Sequence, residues 1–238
     1  MTTRINVDRL LERQAKRWEV SRRLSEQGGE AARRALAHLA EGPWLTISRQ
    51  IGARGAETAR LVGERLEWPI YDREILATIA RETHTKERII SRLDEHAVGH
   101  LNDLLRNLVV PDDMGQARFL TEMARVVWTL AREGEVIVVG RGANWILNPR
   151  FGLRVRLVAP RDVRVQRVAE REGIEAPAAD KRVRSHDAEQ HAFIRQAFGR
   201  EIEDPLGYDL VLNVEHLGAD AAAATIVTLL RTKLESHA

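Results

Sequence analysis

Apolar positions along the chain follow two different rhythms, and the change between them marks its organisation. From Val7 to Ala40 the sequence is polar and charge-rich, and Leu10, Leu11, Trp18, Leu24, Leu36 and Leu39 are spaced mainly as helices space an apolar stripe. Gly28 and Gly29 divide that stretch into two helices, and Gly42-Pro43 ends it. The run Trp44 to Ile47 then predicts a buried strand, followed by a glycine-bearing loop from Ser48 to Gly55 and a helix from Glu57 to Leu66. A short strand is predicted over Trp68 to Tyr71, with Asp72 opening a helix to Glu82. Helical spacing over Thr85 to Leu108, a loop at Pro111, Asp112, Asp113 and Gly115, and a helix over Phe119 to Arg132 make up an inserted, mostly helical region. Val136 to Val139 is a continuous apolar strand that enters the turn Gly140-Arg141-Gly142. Strand Leu153 to Val158, helices Asp162 to Arg171 and Ala178 to Phe198, strand Leu210 to Asn213 and helix Ala219 to Leu234 complete the order. Strands alternating with helices predict an α/β fold, a mostly parallel sheet covered on both faces.

The same boundary divides the chain into an arm over residues 1–42 and a core domain over residues 43–238. For the arm, a pair of surface helices and a homodimerisation or partner-binding role are both open. Composition narrows the field of partners. The 37 basic and 35 acidic side chains nearly balance, so no one-signed field points to nucleic acid. With no cysteine in 238 residues, a disulfide scaffold, a thiolate zinc site and a cysteine nucleophile are excluded, and a reducing cytoplasm is expected. No apolar run approaches the roughly 20 residues that span a bilayer, so no membrane association is expected.

Chemistry is expected where a strand hands over to a helix through a glycine loop, because backbone N–H groups and the helix dipole attract phosphate there. Ser48-Arg49-Gln50-Ile51-Gly52-Ala53-Arg54-Gly55 occupies that place. Aligning Gly55 with the second glycine of G-x-x-x-x-G-K-S/T puts Ala56 at the lysine and Glu57 at the hydroxyl. A plain turn therefore competes with a phosphate loop. Arg49 and Arg54 are the nearby cations able to stand in for the lysine, and Thr58 is the nearest hydroxyl beyond the loop. Arg141, following a buried strand at its carboxyl end, has the fork geometry that suits a phosphate or a base carbonyl. Asp72 has a comparable position, with a helix N-cap as its competing role.

Three segments resemble one family. Leu45-Thr46-Ile47-Ser48-Arg49-Gln50-Ile51-Gly52 with Pro69-Ile70-Tyr71-Asp72, then Val138 to Leu147 around Gly140-Arg141-Gly142-Ala143-Asn144, then Asp204 to Asn213 are similar to the cytidylate kinase-like family. The resemblance covers roughly residues 44 to 234. It implies a P-loop kinase-like three-layer fold with an inserted helical acceptor-binding region and a helical lid, binding ATP at the first loop with magnesium carried by the nucleotide. On that reading Ser48, Arg49, Gly52, Ala53, Gly55 and Thr58 hold the ATP phosphates, and Asp72, Arg141, Asn144 and Asp187 face the acceptor. Arg54 would assist transfer, with Lys181, Arg184 and Arg195 closing from the lid. A solvated charged face is the competing reading of Lys181, Arg184, Asp187, Gln190 and His191, which recur at three or four residues. His186 and His191 have no carboxylate-rich pattern around them, so no protein-bound metal is expected.

Against the family's usual G-S-G-G-R-E, this chain has Gly52-Ala53-Arg54-Gly55-Ala56-Glu57, with alanine in place of the arginine. Gly142 stands where cytidylate kinases have the aspartate of Gly-Arg-Asp, and Gln190 replaces a commonly basic lid residue. The expected activity is transfer of the γ-phosphoryl of ATP to a nucleoside monophosphate, CMP first among acceptors. Its rival is a nucleotide-binding or protein-interaction module whose chemistry has decayed. A kinase for another small acceptor, such as a phosphorylated sugar, also remains open.

Overall fold

The computed structural model describes residues 43–81 and 114–236. The expected arm over residues 1–42, its dimerisation role, and the helix expected over Thr85 to Leu108 lie outside the described residues. Among the described residues five parallel strands form one sheet in the order β2-β3-β1-β4-β5. They are β1 (Trp44–Arg49), β2 (Ile70–Tyr71), β3 (Val136–Val139), β4 (Gly152–Val158) and β5 (Leu210–Asn213). Between them run α1 (Gly55–Leu66), α2 (Arg73–Arg81), α3 (Met114–Glu133), the one-turn α4 (Ala143–Ile146), α5 (Arg161–Glu172) and α6 (Ala176–Phe198). A 3₁₀ turn at Pro205–Gly207 precedes β5, and α7 (Gly218–Glu235) follows it.

Alternation along the central strands sorts side chains to two cores, as a period of two requires. Trp44, Val136 and Val138 point to one face and meet Tyr71, Leu76, Met123, Val127 and Leu130. Leu45, Ile47, Ile137 and Val139 point to the other face and meet Val62, Val155, Ala223, Ile226 and Leu230. The layers are therefore α2, α3 and α4 on one side, the sheet in the middle, and α1 packed on α7 on the other. A third, smaller cluster, Val168, Ala179 and Val183 with Ile51 against it, joins α5 to α6 and ties both to the loop after β1. This is the three-layer α/β arrangement that the resemblance implies.

Several boundaries differ from those expected. β1 runs two residues further than its apolar run, because Ser48 and Arg49 continue in register with Arg156 and Leu157 of β4. Helix α1 starts at Gly55, two residues early, with Arg54 in the left-handed region (φ 50°) as its N-cap. β2 is shorter than expected, reduced to Ile70 and Tyr71. α3 begins at Met114, inside the stretch read as a loop, and the single turn α4 was not anticipated.

The far edge of the sheet is fastened by charge. Asp209, just before β5, accepts hydrogen bonds from the Arg154 backbone N–H (2.9 Å), from Arg154 Nη2 (2.9 Å) and from Lys233 Nζ (3.0 Å). Lys233, near the end of α7, also donates to the carbonyls of Pro149 and Gly152 at the entry to β4. Burial works to raise the Asp209 pKa, but the Arg154 and Lys233 hydrogen bonds together outweigh it and hold the carboxyl below its ordinary value. A depressed carboxylate contributes stability above its unfolded pKa of about 3.9 and loses it as pH falls through the folded value. Asp209→Asn should therefore cost about 1–2 kcal/mol at neutral pH and flatten the acid limb of the stability curve. Urea unfolding at pH 7 and pH 3 checks this; equal midpoints for both proteins at pH 7 would contradict it.

Candidate functional site

The carboxyl ends of β1, β3 and β4 carry arginines at one edge of the sheet, and the site is built around the first of them. Arg49 is the last residue of β1. Its side chain lies across two glycines. A Cβ at Gly55 would collide with the Arg49 stem, and a Cβ at Gly140 would lie 2.8 Å from Arg49 Nη1. Arg49 thus stretches from the N-terminus of α1 to the turn after β3. Among the described residues nothing forms a hydrogen bond or ion pair with its guanidinium. Burial lowers its pKa from the ordinary arginine value, while the charge of Asp72 works the other way.

Two clefts meet at this side chain. The first, about 550 Å³, is lined by Arg49, the loop residues Gln50 to Gly52, Arg54 to Glu57, and Arg167, Glu170, Arg171 and His186. The second, about 220 Å³, is lined by Ser48, Arg49, Arg73, Gly140 to Gly142, Asn144 and the α6 residues His186, Glu189, Gln190, Phe193 and Ile194. The loop floor is rigid. Gln50 Oε1 accepts from the Ala159 N–H (3.2 Å), and Gly52 (φ 79°) packs on the backbone of Arg164. Arg167 donates to the carbonyls of Gly52 (3.3 Å), Val214 (3.2 Å) and Glu215 (3.1 Å), tying the loop to the segment after β5.

The residues expected at the phosphates divide accordingly. Arg49, Gly52, Arg54 and Gly55 line the first cleft. Ala53 is fully buried beneath it, and Thr58 is buried with no hydrogen-bond partner for its hydroxyl. Ser48 lines the second cleft, where its Oγ accepts from the buried Arg156 (3.1 Å). Arg54 is exposed at the mouth of the first cleft and pairs with Glu57 (3.3 Å). With the Ser48 hydroxyl and the Glu57 carboxylate so engaged, the ligands of a magnesium ion would come mainly from the nucleotide.

Of the residues expected to face an acceptor, Arg141 lines the second cleft at φ 58°, its guanidinium carbon 5.9 Å from the ring centres of both Phe119 and Phe193. Asn144 also lines it, and its amide donates to the Gly207 carbonyl (3.3 Å). Asp72 caps α2, accepting from the N–H groups of Glu74 and Ile75 at 3.0 Å each. Asp187 lines neither cleft. It takes a bidentate pair from Arg164 at 2.9 and 3.1 Å, while Arg164 Nε donates to the Ala159 carbonyl, joining α6 to α5. Arg184 pairs with Asp180, Arg195 pairs with Glu201, and Lys181 is exposed; none of the three lines either cleft. Sequence reasoning missed Arg73, Arg156 and Arg167, and considered His186 only as a metal ligand. Arg73 opens α2 and Arg156 lies on inner strand β4, but Arg167 and His186 sit in the middle of α5 and α6, where nothing in the sequence sets them apart.

A family model described as the cytidylate kinase-like family matches residues 44–216. The chain belongs to this family. Curated relatives include a cytidylate kinase from Ignicoccus hospitalis, 30% identical over 106 residues, covering 44% of this chain and 62% of that protein. Another, from Thermococcus kodakarensis, is 33% identical over 96 residues, covering 40% of this chain and 49% of that one. The matches thus span about half to three fifths of these relatives' length. Among solved structures, an uncharacterized protein from Eubacterium ventriosum aligns with TM-score 0.64 at 20% identity, covering 81% of this chain and 99% of that one, and shares the fold.

The glycine at 142, where an aspartate is expected by comparison with cytidylate kinases, has a packing explanation in this cytidylate kinase-like chain. Gly142 is the N-cap of α4 at φ 66°, and a Cβ there would collide with the Phe198 ring. Gly142→Asp should therefore cost at least about 1 kcal/mol in strain, read as a lower unfolding midpoint; a variant as stable as the parent would contradict this. Asp187→Ala should cost about 3 kcal/mol, because it strands the Arg164 charge, whose side chain is only 5% exposed. Denaturant unfolding beside an ATP titration separates the roles. Lost affinity at unchanged stability would assign Asp187 to the ligand instead.

Proposed function

We propose that this chain is a nucleotide kinase that moves the γ-phosphoryl group of ATP to a nucleoside monophosphate, with CMP the first candidate acceptor. The observation that carries this reading is Arg49, a guanidinium without a protein partner among the described residues, placed where the two clefts meet. Most partly buried arginines are engaged by a carboxylate or a carbonyl; one left open toward two clefts is suited to an anion. The larger cleft has the glycine loop and the N-terminus of α1, which favour phosphate through backbone N–H groups and the helix dipole. The smaller has Arg141 held between two phenyl rings, with Asn144 and Gln190 able to exchange hydrogen bonds with a base or sugar.

In the reaction, an oxygen of the acceptor's phosphate attacks the γ-phosphorus, the bond from that phosphorus to the β–γ bridging oxygen breaks, and ADP leaves while a nucleoside diphosphate forms. Charge accumulates on the bridging oxygen and on the equatorial oxygens of the group in flight. Arg49 serves the place of the lysine that the loop lacks, reaching across from the strand instead of up from the helix. Magnesium carried by ATP would neutralise phosphate charge. Loop amides and Arg167 hold the donor's geometry, and Arg141 orients the acceptor's phosphate.

One observation favours slow chemistry or binding alone. Ala56 is exposed at the lysine position, and Arg54 has its charge committed to Glu57. Calorimetric titration with ATP and with CMP, followed by chromatography of products from CMP, dCMP, UMP and AMP, tests both readings. Arg49→Ala should weaken ATP binding roughly tenfold to a hundredfold, the scale of lost charge-assisted hydrogen bonds, with Arg49→Lys recovering part. Unchanged affinities in Arg49→Ala would sink the assignment. ATP bound without product from any acceptor would leave the decayed nucleotide-binding module. Arg54→Ala, Lys181→Ala and Arg184→Ala report whether charges outside the junction contribute to turnover.

A further inference from the structure

His186 is, with Arg49, one of the two residues that border both clefts among those described. It projects from the middle of α6 and is half-buried, and its Nδ1 is buried with no hydrogen-bond partner. A ring nitrogen buried without a partner is desolvated with nothing to offset the cost, which disfavours a charged ring while the clefts are empty. Its charged surroundings are mixed. Arg49 of β1 and Arg73 of α2 oppose a positive imidazole, while Asp187 and Glu189 on its own helix favour one. Arg54 and Glu57 of α1's first turn, Arg141 after β3, and Arg167, Glu170 and Arg171 of α5 line the same clefts. Asp187 is already committed to Arg164. Desolvation, followed by the Arg49 charge, holds the His186 pKa below the ordinary histidine value, so the imidazole is neutral at pH 7.

We propose that His186 is a proton-linked phosphate ligand: lining both clefts beside Arg49, its ring takes up a proton when phosphates enter and then holds them as an imidazolium. This rests on the nucleotide reading of the clefts. The physical reason is a change in the sign of the local field. In the empty site a charged imidazole would add to the repulsion among Arg49, Arg73 and their neighbours. A polyphosphate brings several negative charges to the same place, which reverses the penalty and favours the imidazolium. The bound-state pKa then lies above the free-state pKa. The extra affinity is fully present below the free-state value and is lost as pH rises through the bound-state value.

The test is calorimetric titration of the full chain with ATP at pH 7, in buffers of low and high ionisation enthalpy, for the parent and for His186→Gln. ATP phosphates titrate in this range themselves, so the difference between the two proteins is what reports the imidazole. The parent should take up more protons per ATP than the variant, by a fraction approaching one. Between pH 8 and pH 6 its affinity should gain severalfold relative to the variant. Equal proton uptake by two proteins that both bind ATP overturns the inference and leaves the nucleotide reading standing. ATP bound by neither protein overturns both. Should the variant fail to fold, NMR titration of the parent's histidines with and without ATP decides: one histidine must shift to higher pKa on ATP addition, and none shifting overturns the inference.

Discussion

Room for one arginine constrains the binding end of this sheet more than any other requirement. Arg49 leaves β1 as its final residue and must run across the start of α1 to reach the turn after β3. That path exists only because positions 55 and 140 have no Cβ. Gly140, at φ 81°, serves a second need as well, since a left-handed residue lets the chain turn straight from β3 into α4. The glycine loop, the Arg141 turn and α6 are then three walls around a single guanidinium. Each is fastened independently: the loop by Arg167 and Gln50, the turn by Phe119 and Phe193 against Arg141, and α6 by the Arg164–Asp187 pair. Most of the charged residues nearby hold the scaffold together, which leaves Arg49 open to the clefts.

Much of the architecture was legible because buried parallel strands and amphipathic helices carry strong periodic signals. The runs Trp44 to Ile47, Val136 to Val139 and Leu210 to Asn213 are strands as read, and the helices around them differ by a few residues at their ends. The errors have specific causes. Ser48 and Arg49 look like loop residues because they are polar, yet they sit in an inner strand whose partner β4 supplies hydrogen bonds irrespective of side chain. The start of α1 depends on the left-handed backbone at Arg54, a conformation that an arginine does not advertise. A four-residue helix such as α4 spans barely one turn, too few residues for an i, i+3, i+4, i+7 pattern to show.

The site was legible in outline and not in its pairings. A strand-end position identified Arg141, and the glycine loop identified both Arg49, as a cation near the missing lysine, and the floor of the larger cleft. Helical spacing put Lys181, Arg184 and Asp187 on one face but could not say what that face meets, and Asp187 meets Arg164, 23 residues earlier in the chain. Partner choice among several arginines and carboxylates is a tertiary property, decided by which helix packs on which. His186 illustrates the same limit. Nothing in its neighbours along the sequence distinguishes it from His191, yet the turn of α6 puts His186 on both clefts.

The loop lacks the lysine of the standard phosphate-binding motif, yet a cation reaches it from the strand, and a bound anion responds to the position of charge whichever element delivers it. In the standard motif the lysine rises from the helix that the loop enters. Here the corresponding helix begins with Gly55-Ala56: Ala56, at the lysine position, is exposed, while Gly55 leaves room for the Arg49 stem to pass. Arg49 ends β1 still in register with Leu157 of β4, so its backbone is fixed by the sheet. Under the proposed function that anchoring would present a planar, forked donor, which suits orienting phosphates more directly than following a group in flight.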